Sequence, residues 1–556
     1  MILTYSKGNC TRQGSSGIPF VNPPVVRVGI LFLAVYFASG FAFADPTTRY
    51  LSREAYRDKC QGAWLGQMVG VCFGDPYEFR SNGKIIEGAL EAWVPERVRG
   101  ALNQDDCYVE LTFLSALEKH GFSITPAQAG EAFAASQYKL WHANRQGRLN
   151  LRRGLLPPAS GAPENNVHAD DIDFQIESDV LGVICPGLPQ VSNYLCDIFG
   201  HLMNYGDGVY GGMFMAGMYT AAFFESENVE AVVRAGLACI PAESQYAQCI
   251  QDVLRGYHQW PDDWRKTWQA IESRWNDDED CMLGDPANID AKLNGAYVAI
   301  GLLYGNGDIF RTMEIAARCG QDADCNASSA SGVLGCMKGA RRLPDALRKS
   351  VEFLGEGTFS YTPYTFAGLM AACEKMAETA VGYAGGTVTE DGFTIPLQMP
   401  KAPSEIEQWR DQRTALRRYI PENEVRLWDA HWQVLQCGGD VDAGFREEHQ
   451  GQTGVLLVHP ISETEPALLE AQYPLPAKLP LTLRFSAASD PSGDCALRVF
   501  VQDEKVYEAP LATHGQWSEV RIPLDRYSGK TVRMRIEVAA TGWQKESAFL
   551  TRPVVE

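Results

Sequence analysis

The sequence predicts a multidomain chain, an all-α domain followed by a jelly-roll-like β-sandwich, and three observations predict it. Between Tyr56 and about Ala384, apolar residues recur at three-to-four spacing, the period of helices that bury one face. From Val425 onward they alternate, as in Leu481-Thr482-Leu483-Arg484-Phe485, Ala496 to Val501 and Thr531 to Val538, the period of half-buried strands. Pro396, Pro400 and Pro403 punctuate a stretch of little periodicity between the two regimes, which reads as a linker. A chain of 556 residues also exceeds what one core usually serves. The expected organisation is a leader over 1–44, the helical domain over 52–385, the linker over 386–424 and the sandwich over 425–556.

The leader rests on Val28 to Phe43, apolar apart from Ser39, preceded by Arg27 and ending in Ala42-Phe43-Ala44 before Asp45. That is a signal-peptidase pattern, with cleavage after Ala44. The stretch is too short and wrongly flanked to span a membrane, and no Cys follows the cut to carry a lipid. The expected location is outside the cytoplasm, periplasmic or extracellular, with no stable membrane anchor. The region ahead of it is long, and a start near Val25 to Val28 would give an ordinary leader.

Within the helical domain the spacing predicts helices over Pro126 to His142, Met213 to Glu225, Val229 to Leu237, Ala291 to Tyr304 and Ile309 to Arg318. Their frequent Ala, Gly and Ser permit close packing. Trp260, Trp264, Trp268 and Trp275 suit either core packing or a sugar-stacking wall. Glu405 to Arg418 is charged and helix-like. In the sandwich, Gln516 to Gly529 resembles the late strands of carbohydrate-binding jelly rolls, and Trp428, Trp432, Trp517 and Trp543 would stack on sugars if exposed or pack under loops if not.

Acidic residues outnumber basic ones, 69 to 49, for a net charge of −20; losing the leader removes Lys7, Arg12 and Arg27 and makes it −23. Such a chain is repelled by phosphate backbones, which excludes nucleic-acid polymers as natural partners. The 15 cysteines show no Cys-x-x-Cys pair and no paired-His zinc spacing, so they read as buried packing or bridges. A Cys107–Cys325 bridge is one option if the segments that carry them converge.

Those segments are the most informative in the chain. Gln104-Asp105-Asp106-Cys107 and Gln321-Asp322-Ala323-Asp324-Cys325 each stand before a helix-like run of small and apolar residues. One Asp before a helix is a cap, but a cap does not need two. Crowded carboxylates resist ionisation unless a cation sits among them, so converging clusters suggest a site for hard ions such as Mg²⁺.

Gly62 to Phe79, which contains Gly74-Asp75 and Glu78, resembles the opening helix and loop of the ADP-ribosylglycohydrolase family. The two acidic clusters are similar to that family's later motifs, and Asn326 to Gly335 to its helix of small residues. The resemblance covers about residues 52 to 345. It implies an all-α fold, two Mg²⁺ ions that hold ribose hydroxyls while water attacks the anomeric carbon, metal ligands at Asp105, Asp106, Asp322 and Asp324, and a substrate contact or gate at Glu78. Where the family has Thr, this chain has Gln104, whose amide oxygen suits a hard cation, and Cys325, whose sulfur does not.

The family's usual substrate motifs between the clusters are replaced by His168 to Asp179 and by Asn204 to Gly212. Asp171, Asp173 and Glu177 are either the solvated start of a helix or substrate-binding carboxylates. Asp207 is a similar candidate in a glycine-rich turn. The expectation is an exported hydrolase that uses one or two divalent ions, Mg²⁺ first with Mn²⁺ or Ca²⁺ as options, to cleave a glycosidic bond, with Asp105 or Asp106 taking the proton from water. Its partner would be a small glycoside, an ADP-ribosyl group or a glycan. The alternatives are a glycosidase or nucleoside-type hydrolase on another sugar, and a sugar-binding protein without activity.

Overall fold

The computed structural model describes residues 47–166, 168–276, 289–407, 425, 428–438, 443–543 and 545–556. The expected leader, and most of the helix expected over Glu405 to Arg418, lie outside the described residues.

The helical domain opens with strand β1 (Thr48–Ser52) and runs through α1 (Arg53–Gly74), α2 (Asp105–His120), α3 (Pro126–Ala135), α4 (His142–Arg152), α5 (Asp173–Ile176), α6 (Asp179–Val183), α7 (Pro189–Gly200) and α8 (Asp207–Ala222). It continues with α9 (Val229–Leu237), α10 (Gln245–Gln259), α11 (Trp264–Trp275), α12 (Ala291–Gly305), α13 (Ile309–Arg318), α14 (Ala323–Lys338), α15 (Asp345–Arg348) and α16 (Phe366–Tyr383). Then β2 (Thr387–Val388) and β3 (Gly392–Pro396) return to β1, with Thr48 opposite Pro396 and Ser52 opposite Gly392. The segment expected as linker therefore begins with two strands of the helical unit; they are too short to show a period.

Two helices differ from expectation. The helix expected over Pro126 to His142 stops at Ala135 because its last carbonyls have better partners: Arg152 donates to Ala134 O and Ser136 O, and Arg148 to Tyr138 O. The helix expected from Met213 begins at Asp207, since Gly211 and Gly212 lie against Gln175 and Phe174 and act as packing positions rather than a turn. Of the tryptophans of α11, Trp264 is half-buried and the other two are structural. Trp268 and Trp275 are buried and donate to Cys319 O and to the Asp252 carboxylate.

Helices α1 and α14 cross at near backbone contact. Gly62, Gly66, Gly70 and Gly74 form a stripe at four-residue spacing, and a methyl at these positions would overlap Gly335 O, Ser331 O, Ala327 O or the Asp324 Cα. Ser331 Oγ closes the contact by donating to Gly66 O at 2.8 Å. This approach sets the end of α1 beside the start of α14.

The C-terminal part contains β4 (Trp432–Gln436), β5 (Gly444–His449), β6 (Gln452–Val458), β7 (Ala467–Pro474), β8 (Thr482–Ser489), β9 (Cys495–Val501), β10 (Glu504–Leu511), β11 (Ser518–Pro523), β12 (Thr531–Ala539), β13 (Ala548–Thr551) and β14 (Val554–Val555). They form two antiparallel sheets, β10-β9-β12-β7-β4 and β11-β8-β13-β6-β5, with β14 beside β8. Inward residues of both sheets, such as Val499, Ile536 and Leu469 against Phe485, Leu456 and Ile522, share one core. Trp428 and Trp432 are buried in it, and Trp428 donates to Leu550 O; they are packing residues. Trp517 is half-buried and Trp543 exposed. Among the described residues, no helix is long and apolar enough to cross a membrane.

Candidate active site

The two acidic clusters come together where α1, α2 and α14 meet. Neither behaves as a cap. The cap position of α2 is Gln104 and that of α14 is Asp322, and neither side chain bonds its helix start. Gln104 Nε2 donates instead to Asp75 Oδ1 at 3.1 Å, which leaves its amide oxygen as the group a hard cation would use.

Contact between the clusters is direct: Cys325 Sγ lies 3.3 Å from Asp106 Oδ2. One carboxylate oxygen each from Asp322 and Asp324 and the Cys325 sulfur lie within 4.8 Å of one another. Glu78 is delivered by a clamp between two loops, in which Phe79 N donates to Gln321 O, Gln321 N to Ser81 O and Ile86 N to Arg318 O. Gly320, at φ +90°, presses on Ser81 O so closely that no side chain fits there. A ladder of amides supports the turn from behind: Asn326 donates to Asn294 Oδ1 and Asn294 to Gln321 Oε1, at 2.8 and 3.0 Å.

Electrostatics follow from this crowding. Burial, then the charge of Asp324, push Asp105 up to about 6. Glu78 is exposed in part, yet loss of hydration around its carboxyl and the charges of Asp324, Asp105 and Asp75 push it up to about 8. Asp106 and Asp322 are raised well above the carboxylate range by burial and neighbouring acids, and Asp324 is raised too. Burial and the charges of Asp106, Asp322 and Asp324 hold Cys325 as a neutral thiol, a donor to Asp106 rather than a bridge to Cys107. Asp106 Oδ1, Asp322 Oδ1 and Asp324 Oδ1 are buried without a hydrogen-bond partner among the described residues. Three buried acceptors of this kind are costly unless something positive joins them, so the donor set fits a divalent cation.

The second acidic segment is not a solvated helix start. Asp171 and Glu177 are fully buried and Asp173 nearly so. Asp173 Oδ1 accepts from Asn144 N at the start of α4, and Asn144 Nδ2 donates to Glu177. Burial, then Asp171, push Asp173 up to about 8; Glu177 is raised well above the usual range by burial and by Asp173, Asp105 and Asp106. Ile172 and Ile176 pack against Cys325, which sets this segment beside the first two. Asp207 serves the fold: its Oδ2 accepts from Tyr246 N at the start of α10. Sequence reasoning missed His142, which with His168 faces Asp171; isolated histidines far apart in the chain carry no local signal. It also missed Asp75 as the partner of Gln104, although Gly74-Asp75 was in view.

Fold and site together define a helical protein with a carboxylate-rich centre assembled from three distant segments. The chain belongs to the ADP-ribosylglycohydrolase family, whose model matches residues 52–380. That family is hydrolytic, typically depends on divalent metals and acts on ADP-ribosylated substrates. Similar solved structures include an "ADP-ribosylglycohydrolase-related protein complex", 15% identical, covering 59% of this chain and 99% of that one at a TM-score of 0.38. Another is a secreted serine protease, VesC, from Vibrio cholerae, 14% identical, covering 24% and 27% at 0.17. No curated protein matches the chain.

Proposed function

We propose that this chain is an exported glycohydrolase that uses a divalent cation, Mg²⁺ in the first instance, to cleave a glycosidic bond to a ribose-like sugar. The observation that carries the reading is the set of buried, partnerless oxygens on Asp106, Asp322 and Asp324, gathered with Asp105 and Glu78 from segments far apart in sequence. These aspartates, with the Gln104 amide oxygen, would hold the ion; Cys325 stays protonated and orients Asp106. When bound, the ion supplies Lewis acidity and fixes sugar hydroxyls and water.

The remaining work falls to side chains. Asp105 is half-buried and reachable from solvent, so it is the group to accept the proton of the attacking water. Glu78, on the loop clamped to Gln321, contacts or gates the substrate. Asp173 and Glu177, both raised by burial and neighbouring acids, are the groups to meet sugar oxygens, in place of the family's usual substrate motifs. Export is supported by the leader pattern ending at Ala44.

The test is hydrolysis of ADP-ribosylated protein beside a panel of furanosides, pyranosides and nucleosides, with Mg²⁺, Mn²⁺, Ca²⁺ or chelator. Turnover that needs metal and disappears in Asp105→Ala and Asp322→Ala is expected. No turnover of any substrate, together with no calorimetric metal binding, would sink the proposal in favour of a sugar-binding protein.

A further inference from the structure

Beside the aspartate centre stands a group of different chemistry. His142 Nδ1 lies 3.4 Å and His168 Nδ1 2.9 Å from the same atom, Asp171 Oδ2. All three ligand atoms fall within 4.8 Å of one another, and the two rings meet edge to face with centroids 5.1 Å apart. Neither histidine belongs to the acidic clusters.

The three residues are held in place from several sides. Asp171 N donates to His168 O, and Asn204 Nδ2 donates to the carbonyls of Ala169 and Asp171 at 2.9 and 2.8 Å. Ala291 N donates to Asp170 O and Ile172 N to Ile289 O, which stitches the segment to the start of α12. Asn166 accepts from His168 N and donates to Ala143 O and Met203 O, tying His168 to the first turn of α4. His142 opens that helix at φ +37°, a conformation that costs a residue with a Cβ on the order of 1 kcal/mol or more and survives only where the surroundings enforce it.

We propose that His142, His168 and Asp171 form a second metal site, selective for a borderline ion of the zinc type and distinct from the hard-ion centre of the aspartates. Two imidazole nitrogens and one carboxylate oxygen are a donor set that prefers Zn²⁺ or Co²⁺ to Mg²⁺. Ligand atoms about 2.0–2.1 Å from an ion lie roughly 3.4 Å apart at tetrahedral angles; the His142 and Asp171 atoms stand at that separation, and the His168 and Asp171 atoms, at 2.9 Å, stand closer. Three protein ligands leave a further position for water or a substrate oxygen. His168 and Asp171 are buried, while the His142 side chain keeps 27% of its exposure, which gives an ion its way in.

The experiment uses the full chain, stripped with chelator and titrated with Co²⁺. The wild type is expected to take up a Co²⁺ equivalent with visible d–d bands and no thiolate-to-cobalt charge transfer, the signature that would mark Cys325 instead. That equivalent should persist in Asp322→Asn and fall at least tenfold in affinity in His142→Gln and His168→Gln, with Zn²⁺ displacing Co²⁺ in the wild type and Mg²⁺ failing to. Melting curves show whether the variants fold; His142→Gln alters a partly exposed side chain and decides the matter if His168→Gln does not fold. Equal cobalt stoichiometry, affinity and spectra in wild type and His142→Gln would overturn the proposal. So would loss of all visible cobalt bands in Asp322→Asn.

Discussion

Two clusters of buried acid lie on helix α2 and its neighbours, and they are built to opposite ends. In the first, Glu110 has both oxygens engaged, one by Gln67 Nε2 and one by Val180 N at 2.8 and 2.7 Å, and Asp179 accepts from Tyr219 at 2.7 Å. Burial raises both acids, Asp179 to about 8, and the charge of Asp179 raises Glu110 further; neutral donors reach every oxygen of the pair except Asp179 Oδ1, which has no hydrogen-bond partner among the described residues. In the second, one turn earlier on the same helix, Asp106 faces other acids and a thiol, and oxygens of three aspartates find no donor. The difference teaches how to tell a structural acid from one that waits for a cation: the burial is alike, and the partners are not.

The largest expected effect breaks the comparison from both sides. Asp322→Asn should lower kcat/KM by at least about 10²-fold and leave the metal-free melting temperature unchanged or higher, because it removes a charge the apo fold does not want. Glu110→Ala should do the reverse, costing about 3 kcal/mol in denaturant unfolding while each folded molecule keeps its metal affinity. If both variants lost stability alike, the second cluster would be structural as well.

A smaller effect is read from pH. Asp179 and Asp173, each about 8 when folded against an ordinary 3.8, and Glu78, about 8 against 4.5, bind more protons in the folded state than in the unfolded one between about pH 4 and 8. The stability they contribute is present below the unfolded value and is lost as pH rises through the folded one. Metal-free protein should therefore melt progressively lower from pH 4 to 8 in thermal scans. Mg²⁺ should recover the share that belongs to the aspartate centre, and Asp179→Asn should flatten the share that no metal recovers.

The smallest effect concerns Cys325. Cys325→Ser keeps a donor for Asp106 and removes only the sulfur, so Mg²⁺-supported turnover should stay within about threefold, roughly 0.6 kcal/mol. A loss as large as that of Asp322→Asn would mean that the sulfur itself holds the ion.

What the sequence disclosed of this follows from how local each signal is. Paired aspartates before a helix crowd charge within three residues, so Asp105-Asp106 and Asp322 to Asp324 were legible, as were α9 and α13, whose apolar stripes keep strict period. Glu177 and Asp171 were legible as acids but not as buried ones, because their shelter comes from Asn144, Asn204 and the α12 start, distant in the chain. The His142–His168 encounter left no pattern at all. Asp207 misled because an acid among glycines suits a ligand turn, whereas here the glycines are packed inside α8 and the acid serves the start of α10. The tryptophans gave no means of separating a stacking face from a core, since ring size is the same in both.

The pairing of β1 with β3 joins the first described residues of the helical unit to its last strand, Leu51 opposite Phe393. A chain emerging vector-wise makes every helix of this unit before the strand that covers β1 exists. Until then Leu51, buried in the finished core, lacks its partner strand, and the opening strand remains a loose end. The unit is thus fastened last at the place where it was started first, and a truncation anywhere before Gly392 would leave it unlatched.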